Sequence, residues 1–186
     1  MQREYPRLSA CGLNCGLCPR YHTQGGSRCP GCGGEGFYEK RPSCGILSCC
    51  KRHGEIESCY LCEEYPCKKY DGVEQVDSFI THRNMLDNFA EIKQDGLAGY
   101  RQQLDEKVRI LRHLLEQYND GRKKSFFCTA VNLLELDDVK QVMEQLSLET
   151  QANATSKEKA AFAVELFEKM AEERGVSLVL RKKGKY

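Results

Sequence analysis

Eleven of the chain's twelve cysteines fall between Cys11 and Cys67, and their spacing is the part of the sequence that can do chemistry. It runs Cys11-x3-Cys15-x2-Cys18-x10-Cys29-x2-Cys32-x11-Cys44-x4-Cys49-Cys50-x8-Cys59-x2-Cys62-x4-Cys67. A Cys-x2-Cys pair is a chelating unit, because the turn between the two residues sets both sulfurs on one side. Zinc takes four such ligands in a tetrahedron, with bonds of about 2.3 Å. Three pairs are present: Cys15/Cys18, Cys29/Cys32 and Cys59/Cys62. The first two approach the zinc-ribbon pattern with a shortened spacer. Cys44 and Cys49 with Cys59 and Cys62 supply donors for a second site, and Cys11, Cys50 and Cys67 are left over. Spacing alone does not fix the partition. The expectation is zinc, as two ions in closed four-cysteine sites that support an interaction surface.

An iron–sulfur redox or sensor protein is the alternative. Cys11-x3-Cys15-x2-Cys18-Pro19 presents three closely spaced thiolates, as a [4Fe–4S] cluster uses, with a fourth from afar. The order differs from the bacterial ferredoxin run. The spacing also resembles the cluster motif of radical S-adenosylmethionine enzymes, but those need a barrel of alternating strands and helices, and nothing after residue 72 reads that way. A second alternative is a nucleic-acid-binding zinc module. Tyr60, Tyr65 and Tyr70 with Arg52, Lys68 and Lys69 have the stacking and charge that single strands take. The plainer role for those rings is packing around the metal knuckles.

No catalytic constellation is legible. There is no nucleophile–base pair, no phosphate loop and no open three-ligand centre. His22 and His53 read as loop residues, His82 and His113 as structural helix residues, and Cys128 as part of an apolar core. Cys50 reads as a spare ligand or an exposed thiol. Arg20, Arg28, Arg41, Lys51 and Arg52 are interleaved with the cysteines, and cations near sulfur stabilise the thiolate.

The chain has 186 residues and a formal charge of +1, so bulk charge points to neither nucleic acid nor an acidic partner. No apolar run approaches the roughly 18 residues that would span a bilayer. The stretch Met1–Arg7 is polar and has no apolar signal core. A cytoplasmic setting is therefore expected, where cysteines stay reduced and clusters of them bind metal more often than they form disulfides. No membrane partner is expected, while a protein or nucleic-acid partner fits the module.

The elements that position the thiols differ along the chain. Residues 1–72 are dense in glycine and proline and poor in aliphatic side chains, which predicts short hairpins and knuckles. Such a segment needs a cross-link to offset its chain entropy, and metal supplies one. Metal removal is expected to unfold this module and leave much of the helical signal in place. Residues 73–186 turn helical. Residues 74–94 predict one or two helices. Leu97, Leu104, Val108, Leu111, Leu115 and Tyr118 recur at threes and fours up to a stop at Asn119-Asp120-Gly121. Residues 123–134 read as a short buried helix or a strand, and 137–147 as a helix with acidic residues at its start. Thr155-x-x-Glu158 is a capping box for a helix through Arg174, followed by a β-prone run, 176–180. The expected fold is mainly α, with about five helices after an irregular cysteine-rich metal-binding module.

Cys11-Gly-Leu-Asn-Cys15-Gly-Leu-Cys18, Arg28-Cys29-Pro-Gly-Cys32, Cys44, Cys49, Cys59-Tyr-Leu-Cys62 and Tyr65-Pro-Cys67 together resemble the domain of unknown function 3795 family, cysteine-rich proteins of bacteria and archaea. The resemblance covers roughly residues 8–72. It implies metal binding at Cys11, Cys15, Cys18, Cys29, Cys32, Cys44, Cys49, Cys59, Cys62 and Cys67, and it implies no reaction. Cys50 and Cys128 fall outside its pattern.

Overall fold

The computed structural model describes residues 2–40, 43–151 and 153–182. Among these, the cysteine segment holds two short helices, α1 (Phe37–Lys40) and α2 (Gly45–Arg52). Five longer ones follow: α3 (Met85–Asp95), α4 (Leu97–Gln117), α5 (Lys124–Leu133), α6 (Leu136–Glu149) and α7 (Ser156–Glu173). No strand occurs among the described residues, so the hairpins expected of the cysteine segment are absent there. Tight 3-10 turns stand in their place, at Cys15–Leu17, Gly25–Ser27, Cys59–Leu61, Lys68–Tyr70 and Val73–Gln75.

Helix α4 is the axis. Its stripe of Tyr100, Leu104, Val108, Leu111 and Leu114 is buried, and it packs on α3, α5 and α6. Helix α5 settles the ambiguity over 123–134: Phe127, Ala130 and Val131 are fully buried in a helix that also touches α7. The capping box forms as read, with Thr155 accepting from the Glu158 N–H and Glu158 accepting from the Thr155 N–H. The far end of α7 closes with Gly175 in the left-handed region (φ 64°). There the Val176 N–H donates to Ala171 and the Gly175 N–H to Glu172, which satisfies the last carbonyls. Asp138 near the start of α6 pairs with Arg174 at the end of α7 (2.6 Å), each charge matching its helix dipole.

Two segments differ from expectation. Helix α3 begins at Met85, not in the seventies. Asp77 and Ser78 divert the chain there, because their side chains offer the backbone other partners than a helix would. The Asp77 carboxylate accepts from the His82 N–H (2.7 Å) and the Ser78 hydroxyl from the Ile80 N–H (3.4 Å). The run 176–180 is irregular chain, not a strand. Its continuation is tied back by Asp77, whose N–H donates to the Arg181 carbonyl (2.8 Å) and whose carboxylate accepts from the Arg181 N–H (2.7 Å).

One apolar core joins both parts of the chain. Leu8, Leu17 and Tyr70 from the cysteine segment share it with Phe89, Leu111, Phe127 and Phe167. Phe89 has no exposed surface, and the rings of Tyr60 and Tyr65 lie 5.2 and 5.5 Å from it. Phe89→Ala should therefore destabilise the cysteine segment and the helices together, by about 3–5 kcal/mol, in a single urea transition seen by near- and far-ultraviolet circular dichroism.

The Asp77 tether should depend on pH. Burial opposes ionisation of this carboxyl, but the N–H donors of His82 and Arg181 and the charge of Arg83 outweigh it and hold its pKa below the ordinary value. A depressed native pKa gives stabilisation that is complete above the unfolded value, about 3.9, and is lost as pH falls through the native one. Amide-exchange protection of Arg181 should hold at neutral pH and drop below about pH 4. Asp77→Asn should lower it at neutral pH.

Candidate functional site

Two of the three Cys-x2-Cys pairs fold into the same turn. The Cys18 N–H donates to the Cys15 carbonyl (3.1 Å) and the Cys62 N–H to that of Cys59 (2.9 Å). Each turn runs on into a second, from Cys18 to Tyr21 (2.9 Å) and from Cys62 to Tyr65 (3.1 Å). They differ in what they bury: Leu17 is fully buried, while Leu61 is half exposed. The third pair, Cys29/Cys32, is held from outside. The Cys29 N–H donates to Arg20 and the Cys32 N–H to Pro6, both at 2.9 Å. Gly31 permits the close approach, since a Cβ there would lie 2.3 Å from the Pro6 carbonyl oxygen.

These turns sort the thiols into two neighbourhoods. In the first, Cys15 feels the charges of Cys32, Cys11, Cys18 and Cys29. Cys11 in turn feels Cys32 and Cys44. Burial pushes the Cys11 thiol up to about 11, with the Ser9 hydroxyl at 3.0 Å easing it. Burial also raises Cys15, Cys18 and Cys32. In the second, Cys49, Cys50, Cys59, Cys62 and Cys67 line one small hollow with His53 and Tyr70. Cys50 and Cys59 sulfurs are 3.9 Å apart, and the Cys62 sulfur is 3.8 Å from His53 Nδ1. The hydrogen bond that the two thiols share lowers Cys59 below the usual thiol range and raises Cys50.

Cys44 and Cys49 stand at different places on α2. Cys44 caps the start of α2 and acts on Cys11 and Cys32, whereas Cys49 sits toward the other end. A rise of 1.5 Å per residue separates them by about 7 Å along the helix. Cys50 is not an exposed thiol. It is 1% exposed and packs with Ala10, Cys32, Phe37 and Leu47 in a small core between the two neighbourhoods. Cys128 is buried as expected. Among the described residues, no three Cys, His, Asp or Glu side chains converge into a formed coordination group.

The other candidates have structural roles. His22 bonds the Gly16 carbonyl (2.7 Å), His82 lies 3.1 Å from the Ser78 hydroxyl, and His113 packs on Tyr118. Tyr60 and Tyr65 lean on Phe89, and the buried Tyr70 donates to the Cys11 carbonyl (3.2 Å). These rings are engaged in packing. Of the interleaved cations, Arg20 covers the Phe79 ring and Arg28 donates to the Tyr21 carbonyl. Arg41 lies outside the described residues.

The cation set among the sulfurs is Arg3, which no sequence signal singled out. It is 5% exposed. It donates to the Leu8, Cys32 and Glu57 carbonyls and to the Ser58 hydroxyl, with the Glu57 carboxylate 3.2 Å from its Nε. Its charge favours the thiolates of Cys32, Cys50 and Cys59. Arg3→Met should cost about 3 kcal/mol, because several buried acceptors lose their donor together. Urea denaturation would measure the loss.

No curated protein matches the chain, and no solved structure does. No helix among the described residues is long and apolar enough to cross a membrane. Residues 7–72, the segment that carries both thiol neighbourhoods, match the family described as "Protein of unknown function (DUF3795)". Over this segment the chain is similar to that family.

Proposed function

We propose that the protein binds zinc through its two thiol neighbourhoods, as structural sites that hold a surface for a partner. The observation that carries this is the sorting of the cysteines between two neighbourhoods, one around Cys11, Cys15, Cys32 and Cys44 and one lining the hollow with Cys49, Cys59, Cys62 and Cys67. The donors suit the ion. Thiolate is the preferred ligand of structural zinc, and Arg3 offsets the negative charge that tetrathiolate sites accumulate. Bound zinc would supply a cross-link to a segment with few aliphatic residues, so its binding free energy becomes folding free energy.

The iron–sulfur reading keeps one observation in its favour. Cys18 and Cys29 stand beside the first group, which leaves it more thiols than one tetrahedral ion uses. Metal analysis of protein purified without oxygen separates the two. Zinc at about two ions per chain with no visible colour is expected. Iron with inorganic sulfide and absorbance near 400 nm would replace zinc with a cluster. Cys32→Ser and Cys62→Ser, one in each neighbourhood, should each lower the zinc content by about one ion. Because the core is shared, chelation should melt helices and cysteine segment together, not the module alone.

A further inference from the structure

The second thiol neighbourhood offers more donors than one ion uses, and its contacts choose among them. Five sulfurs and the His53 imidazole line a hollow of about 20 Å³. That volume has room for one ion or water and none for an organic ligand. Tetrahedral zinc takes four donors.

Two pairs of residues face each other across the hollow. Cys50 lies near the end of α2 and His53 caps that end, three residues on, so the two side chains fall on one side of the helix. The His53 N–H donates to the Cys49 carbonyl (3.1 Å), which carries the helical path on to the imidazole. Cys59 and Cys62 are likewise three apart, at the ends of the turn closed by the Cys62 N–H and the Cys59 carbonyl (2.9 Å). Each member of the helical pair meets one member of the turn. The Cys50 and Cys59 sulfurs are 3.9 Å apart, and the Cys62 sulfur is 3.8 Å from His53 Nδ1.

These lengths are close to the edges of a zinc tetrahedron. With bonds of about 2.3 Å to sulfur and about 2.0 Å to nitrogen, two sulfurs on one ion stand about 3.8 Å apart, and a sulfur and a nitrogen about 3.5 Å. Cys49 and Cys67 also line the hollow, but no contact of this kind is found for either sulfur among the described residues. Charge fits the same four donors. Three thiolates and a neutral imidazole around Zn²⁺ carry one net negative charge. The buried Arg3 guanidinium, whose field reaches Cys50 and Cys59, supplies one positive charge.

On the zinc reading above, we propose that Cys50, His53, Cys59 and Cys62 hold the ion of the second neighbourhood. Cys50 is then no spare thiol, and its 1% exposure is that of a ligand in a closed site. His53 closes the hollow on its exposed side. Cys49 and Cys67 are neighbours of the site.

Zinc per chain, measured after dialysis of the purified full chain against a weak chelator, tests this. His53→Ala removes an exposed side chain outside the apolar core and should lower the content from about two ions to about one. His53→Cys returns a donor and should keep about two. Cys50→Ser should also fall to about one. If that buried variant fails to fold, the His53 variants decide. Cobalt in place of zinc gives a second readout. Imidazole is a stronger-field donor than thiolate, so His53→Cys should move the visible bands of the cobalt-loaded chain to longer wavelength. A merely structural histidine would leave them in place. Two ions retained in His53→Ala, or cobalt bands unmoved in His53→Cys, would overturn this ligand set while the two zinc sites stand. A wild-type chain without zinc would overturn both readings.

Discussion

The rest of the structure depends on the seating of one turn, Cys15–Leu17, against helices α4 and α5. Gly16 allows it, because a Cβ there would come within 2.8 Å of Val108 Cγ2. Leu17 then disappears into the helical core, and Cys15 and Cys18 are fixed at the boundary between helices and thiols. The same turn brings the Asn14 side chain to Asn132 on α5. A segment with too few aliphatic residues to build its own core thus borrows one. The sulfurs are carried on a face whose other side is a helix bundle.

Electrostatics sets the second constraint. Burial disfavours the charged form of a thiol, and neighbouring thiolates repel one another, so Cys11, Cys15 and Cys32 are held toward the neutral form. Arg3 acts against this at the seam between the two neighbourhoods. Its guanidinium reaches the Cys32 carbonyl on one side and Ser58, next to Cys59, on the other. The lead-in that carries it is pinned by the Arg7 and Tyr5 contacts to Asp105 on α4. The helices therefore also position the charge that acts on the sulfurs. The doubled turn, Cys-x2-Cys-x2-Tyr, fits the same logic: one copy faces the bundle through Leu17, and the other leaves Leu61 toward solvent.

The sequence by itself determined what is local. Periodicity located α4, α6 and α7 to within a few residues, and the Thr155–Glu158 box and the Gly175 stop formed as read, because caps and amphipathic stripes are satisfied within a few residues of chain. Cysteine spacing likewise gave the tight turns at Cys15/Cys18 and Cys59/Cys62. Tertiary structure decided which thiols are neighbours. Cys49 lines the hollow with Cys59 and Cys62 while Cys44, five residues before it, does not, and Cys44 instead acts on Cys11, far from it in sequence. It also decided that Cys50 is buried, that Arg3 lies among the sulfurs, and that Asn14, Asn84 and Asn132 meet. The reason is common to all three. Spacing fixes a residue's direction on its own turn or helix, but its partners come from distant segments of the chain, and only packing selects them.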